Sequence, residues 1–292
     1  MAGFSTTLLA ITSIIRIRPS MNLAGNVTMD HFFRYRSDRI PVALIAGLFA
    51  FDLVVYGLVD DWRWVLAWVL AGLFPKACIC SWNHHHQHLP TFHQTWMNRV
   101  LEIVYGLHTG ITTNAWVLHH VLGHHVNYLD QAKDESAWAR KDGSTMGVVE
   151  YTFHLAITGY PRAYRVGKMH PRFQRQFLSM GVLVMCLVGV MIYYKPLNAI
   201  LIFVLPMLIG YVITCWHTYY HHAGLHTDDH FEASYNITHK WYNLMTGNLG
   251  YHTAHHIRQG LHWSLLPEFH RALEGRIPKH LYRDPPIPVR FF

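Results

Sequence analysis

Four long apolar stretches, Ile40–Val59, Trp64–Trp82, Phe177–Tyr194 and Leu197–Trp216, constrain this chain more than any other feature. As helices, each reaches across about 30 Å of hydrocarbon. They come as two hairpin pairs, and none leaves a polar stripe to solvate, as a helix of a soluble domain would. Composition agrees, with 51% of the 292 residues hydrophobic and 14% charged, against about 25% charged in soluble domains.

Lysine and arginine set the expected orientation. Five precede the first stretch, nine lie between the second and third, and seven follow the fourth, 21 of the 24 in the chain. Arg63 and Lys195 mark the short connections and Lys76 lies late in the second stretch. Both termini and the long middle segment are therefore expected on the cytoplasmic side. Residues 1–39 read as an N-terminal interfacial segment, with apolar Phe4–Ile15 anchored by Arg16 and Arg18 and no signal-peptide cleavage pattern. Residues 40–292 form the main domain. The net charge of +7 comes without a basic run, so no nucleic-acid partner is expected. Cys78, Cys80, Cys186 and Cys215 all fall within apolar segments and read as core residues, not a disulfide framework.

The second constraint is histidine, present 25 times. Clusters occur only where the chain has left the membrane on the cytoplasmic side: Asn83-His84-His85-His86-Gln87-His88, His119-His120-Val121-Leu122-Gly123-His124-His125, His217-Thr218-Tyr219-Tyr220-His221-His222, and His252-Thr253-Ala254-His255-His256. His84 with His88, His120 with His124, and His252 with His255 and His256 have the spacing of neighbours on one helix face. Such repetition points to a metal site. The expected fold class is thus all-α integral membrane, four transmembrane helices with a cytoplasmic helical cap carrying the histidine boxes.

Eight or nine imidazoles exceed what one ion takes, and no His-Glu-x-x-His zinc helix occurs. Imidazole suits iron, copper, nickel and zinc alike; dioxygen chemistry at two iron ions is the favoured reading.

From Ile40 to His270 the chain resembles the membrane fatty acid desaturase superfamily, whose three boxes run HxxxH, HxxHH or HxxxHH, and HxxHH. The resemblance implies a di-iron site with His84 and His88 from the first box, His120, His124 and His125 from the second, and His252, His255 and His256 from the third. A ninth ligand follows the last span, here His222 with His221 as competitor; His88 with His93 is an alternative first box. It also implies molecular oxygen as co-substrate, an acyl-lipid substrate in a narrow tunnel, and desaturation as the reaction. The Gly-His-His and His-His-Ala-Gly-Leu segments are similar to membrane alkane hydroxylases, and Gly260-Leu261-His262-Trp263 with Leu266-Pro267 resembles desaturase-like enzymes that decarboxylate fatty acids to terminal alkenes. No haem domain is expected after the proline-rich tail, so electrons would come from a separate ferredoxin, rubredoxin or cytochrome; Arg162, Arg165 and Lys168 read first as lipid-headgroup contacts and second as a surface for an acidic donor.

Candidate carboxylates to support ligand rings are Glu102, Asp130, Asp134 and Asp228, each of which reads first as a solvated acid because no spacing fixes its direction. The stretch holding Val104, Tyr105, Leu107, Ile111 and Trp116 reads as interfacial, its side chains either lining the tunnel or packing against the spans. A divalent-metal transporter is the rival from another class, but it needs ionisable groups at mid-membrane, where these spans offer only Asp52 and Lys76.

Overall fold

The computed structural model describes residues 30–286 and Arg290; the apolar segment Phe4–Ile15 lies outside them. The described chain is helical, with isolated bridges and no strand among the described residues. Its main elements are α1 (Arg39–Leu58), α2 (Trp62–His88), α3 (Thr95–Thr109), a π-helical stretch Val117–His124, α4 (Val148–Gly167), α5 (Pro171–Tyr194), α6 (Pro196–His222), α7 (Lys240–Thr246), α8 (His252–Ile257) and α9 (Leu266–Leu273).

Four helices are long and apolar enough to cross a membrane: α1, entered through the turn at Arg36, and α2, α5 and α6. They coincide with the four stretches read from the sequence, but α2 and α6 run on to His88 and His222. A transmembrane helix satisfies its own backbone, so nothing stops α2 and α6 from continuing beyond the hydrocarbon and carrying histidines with them. The outer faces of α1 and α5 are apolar and exposed, at Leu44, Val54, Val182 and Met185 among others, whereas α2 and α6 are the more buried pair.

The two hairpin turns meet at one end of the bundle. Lys195 Nζ donates to Gly57 O at 2.8 Å and to Asp60 Oδ1 at 2.7 Å, and the Asn198 amide donates to Tyr56 O and Val59 O. The histidine clusters gather at the opposite end. A buried ion pair ties the spans together: Lys76 Nζ lies 2.8 Å from Asp52 Oδ2 and donates to Ile202 O, within a π-helical turn of α6. Trp68 Nε1 donates to the same carboxylate, and His108 Nδ1 approaches it at 3.6 Å.

That contact with His108 corrects the interfacial reading of the stretch after Val104. α3 descends into the bundle, and Tyr105, Leu107, Ile111 and Trp116 are all buried. The chain reverses at Gly110, with φ +68°, where an added Cβ would sit 2.3 Å from Met207 O. Irregular backbone below the surface is tolerated where protein groups satisfy it. Here the Asn83 amide donates to Ile111 O, and the Tyr160 hydroxyl donates to Gly110 O.

Beyond α6 a small apolar core of Phe231, Leu266, Phe269, Leu273 and Leu281 fixes α8 against α9. Ile237 N–H donates to Gly250 O at 2.8 Å; a side chain at Gly250 would overlap Ile237 O at 2.0 Å. The close approach delivers the start of α8, where Asn236 Oδ1 accepts from Thr253 N–H.

Candidate metal centre

Each box sends only some of its rings inward. In the first, His84 and His88 face the other clusters. His85 Nε2 donates to Thr246 O, and His86 is held by Glu102 and Thr91 on its two nitrogens. Gln87 Oε1 accepts from Trp116 and Val117 N–H, so the first box positions the second. His93 is exposed, which removes it as an inward partner of His88.

The second box converges by π winding. On an α-helix His120 and His125 would be about 140° apart in projection. In the wider turn His125 N–H donates to His120 O, and the two Nε2 atoms lie 3.0 Å apart. His119 turns away to stack on Trp116. After α6 it is His222 whose Nε2 reaches the cluster, 3.3 Å from His124 Nε2 and 3.0 Å from His252 Nε2; His221 packs behind His252.

Two groups result. His84, His88, His120 and His255 hold ring nitrogens within 4.8 Å of one another, and so do His124, His222 and His256. His125 joins the first through His120, and His252 joins the second, 3.0 Å from His222 and 3.2 Å from His256. Stacking of His125 on His256 at 4.1 Å places the groups side by side. All nine sequence-derived residues are thus brought together.

The hydrogen bonds decide which nitrogens are free. A carboxylate only accepts, so His124 Nδ1 donates to Asp134 Oδ1 at 2.8 Å; His222 Nδ1 likewise donates to Ala233 O at 2.9 Å. In neutral rings both Nε2 atoms then carry bare lone pairs, 3.3 Å apart. Burial, then neighbouring imidazoles, hold His120, His125, His252, His255 and His256 well below the ordinary imidazole pKa. Both nitrogens of His88 are buried without a hydrogen-bond partner, which costs about 1–3 kcal/mol per unmet group. A cation relieves all of this. Nitrogens bonded at about 2.1 Å to one ion and at right angles lie about 3 Å apart, the spacing seen here. The donor set fits metal ions.

Of the four candidate supporting carboxylates, Asp134 alone bonds a converging ring. Glu102 serves His86, Thr113 and Arg99; Asp130 is half-buried and paired with Lys133, and Asp228 is exposed. Arg162 donates to Glu135 O, and Arg165 lies 3.8 Å from the Glu135 carboxylate.

Residues 62–286 match the model of the fatty acid desaturase family. The chain belongs to the fatty acid desaturase family. No curated protein and no solved structure gives a significant match. Membership makes this an oxidoreductase-type enzyme, and the family's lipid chemistry agrees with the cavity beside the histidines. That cavity, of about 470 Å³, runs between α2 and α6 from Leu73, Phe74 and Ile209 up to His84, His120 and His252. Trp116 is the one member of the re-entrant stretch among the residues lining it. Two further polar residues stand on this wall: His217, which opens the third histidine cluster but was not among the expected ligands, and Tyr242, which no sequence feature singled out.

Proposed function

We propose that this protein is a membrane-bound, dioxygen-dependent fatty acyl desaturase whose nine converging histidines hold two iron ions. The observation that carries the reading is one apolar cavity ending on both histidine groups. His84, His88, His120, His125 and His255 would hold one ion, and His124, His222, His252 and His256 the other. Reduced by an external donor, the ions would supply the oxidising power, drawn from molecular oxygen, to remove hydrogen from an unactivated C–H bond.

The protein's own contribution is positioning and exclusion of water. From Leu73 to His84, α2 advances about 16 Å, enough to sheathe on the order of a dozen methylenes. Val65, Val69, Ile202 and Phe203 form the closed packing below, so the tail has a floor and carbons along it are set at fixed heights. Asp134 holds the His124 ring by its Nδ1 proton and keeps Nε2 turned inward. Asp134→Asn is expected to weaken metal binding about 10–100-fold, read by metal content after dialysis against a chelator; unchanged retention would remove Asp134 from this role.

By charge, the histidine end and both termini face the cytoplasm, where a soluble ferredoxin, rubredoxin or cytochrome delivers electrons. Residues 40–292 act as one catalytic domain. The reading is tested by expressing the protein with a compatible donor and analysing lipids and volatiles by mass spectrometry. A new double bond is expected. A hydroxylated chain or a terminal alkene instead would overturn desaturation while keeping the metal site.

A further inference from the structure

A second cavity, of about 20 Å³, lies against the first histidine group, and no residue lines both it and the acyl-chain cavity. Asp38, Tyr105, His88, His255 and His262 stand on its wall. Asp38 comes from the turn that opens α1 and is 7% exposed. Its Oδ1 accepts from His262 Nε2 at 3.1 Å and from Trp263 Nε1 at 2.7 Å, and Tyr35 stacks on the His262 ring. Oδ2 has no donor among the described residues.

Two other polar groups on this wall are unmet. Tyr105 is 2% exposed, and its hydroxyl makes no hydrogen bond among the described residues; such a group costs about 1–3 kcal/mol. His255 points Nε2 at His84 Nε2, 3.0 Å away. A neutral ring that keeps that nitrogen bare for a metal carries its proton on Nδ1, and Nδ1 has no acceptor among the described residues. Metal-bound imidazoles normally give this proton to a carboxylate, a carbonyl or a water, as His124 gives its own to Asp134. A buried water needs about 10–15 Å³ and two to four polar partners. The cavity offers room for one, and the directions agree: water accepts from the Tyr105 hydroxyl and from His255 Nδ1–H, and donates to Asp38, whose carboxylate only accepts.

Resting on the reading of the nine histidines as metal ligands, we propose that this cavity holds one ordered water linking His255 Nδ1 to Asp38 and Tyr105. Asp38 is then the outer support of the first ion, as Asp134 is of the second. Neither Asp38 nor Tyr105 reaches the metal; both are positioning residues. The water fixes the tautomer and tilt of the His255 ring, and the carboxylate behind it makes Nε2 a stronger donor to the ion. The turn before α1, which carries no histidine of the cluster, becomes part of the metal centre by this route.

The test is iron retention by the purified full-length protein in detergent, loaded anaerobically with isotopically enriched ferrous iron and dialysed stepwise against a chelator, with Mössbauer spectra of the same samples. The unaltered chain should keep two ions. Asp38→Asn and Tyr105→Phe should each release one of them about 10–100-fold more readily, and should change one of the two iron signals while the other stays as it was. Asp134→Asn should change the opposite signal. Because Asp38 and Tyr105 act through one water, the double variant should lose no more than the worse single one; multiplied losses would mean separate roles and overturn the shared water. Thermal unfolding of the metal-free proteins should coincide. Should Asp38→Asn fold poorly, Tyr105→Phe carries the test, since it keeps the packed ring. Variants that hold both ions as tightly as the unaltered chain, or lose both alike, overturn the proposal and leave the metal centre standing. An unaltered chain that retains no iron overturns the metal centre, and this support with it.

Discussion

His255→Ala is expected to abolish turnover and to lower bound iron by at least one ion per chain, while the protein stays in the membrane fraction at its normal level. His255 Nε2 lies 3.0 Å from His84 Nε2 in the larger histidine group. Losing a nitrogen that contacts the metal should exceed the about 10–100-fold loss in affinity that follows removal of an outer hydrogen-bond partner. The fold should survive, because α8 is held from elsewhere: Thr253 bonds Ser234 and Asn236, and Ala254 is locked in the apolar core under α9. His93→Ala, at an exposed position, should leave iron and turnover unchanged. Iron analysis with lipid mass spectrometry decides it, and a His255→Ala protein that keeps both ions and its activity would sink the assignment.

The second large effect lies far from the histidines. Lys76→Met is expected to destabilise the bundle by about 3–5 kcal/mol, because it strands the Asp52 carboxylate without its counter-charge. Asp52 is fully buried, and Trp68 Nε1 remains its one close donor besides Lys76. The carbonyl of Ile202, which also accepts from Lys76, would lose that partner as well. The double variant Asp52→Asn with Lys76→Met removes both charges and should recover most of the loss. Thermal unfolding in detergent distinguishes the cases. If the single and double variants melt together, the pair is not what ties α1, α2 and α6.

This pair also bears on the transporter alternative. Asp52 and Lys76 neutralise each other and are joined by His108 and Trp68, an arrangement that fixes helices together. The nine converging histidines gather instead at the end of the bundle opposite the hairpin turns.

Much of the design is legible without coordinates. Four apolar runs specify four spans, because length and hydropathy alone determine what a bilayer accepts. The boxes specify the ligand candidates, because an i, i+4 pair such as His84 and His88 must share a helix face. The choice of His222 over His221 is not local. Both end the same helix, and only the carbonyl of Ala233, brought back by the following loop, orients His222 inward, while Tyr242 and Tyr235 take His221. Likewise Asp134 and Asp130 are alike in sequence, and chain reversal after the second box alone puts Asp134 against His124.

Sequence by itself thus determined the membrane class, the histidine inventory and the family, all of which depend on composition and short-range periodicity. Tertiary structure decided the rest. It wound Val117–His124 as a π-helix so that His125 returns to His120, drove α3 down into the bundle where an interfacial path was expected, and set His217 and Tyr242 on the wall of an apolar cavity. Each of these depends on contacts between segments distant in the chain, where packing and hydrogen-bond satisfaction override the preferences of any single stretch.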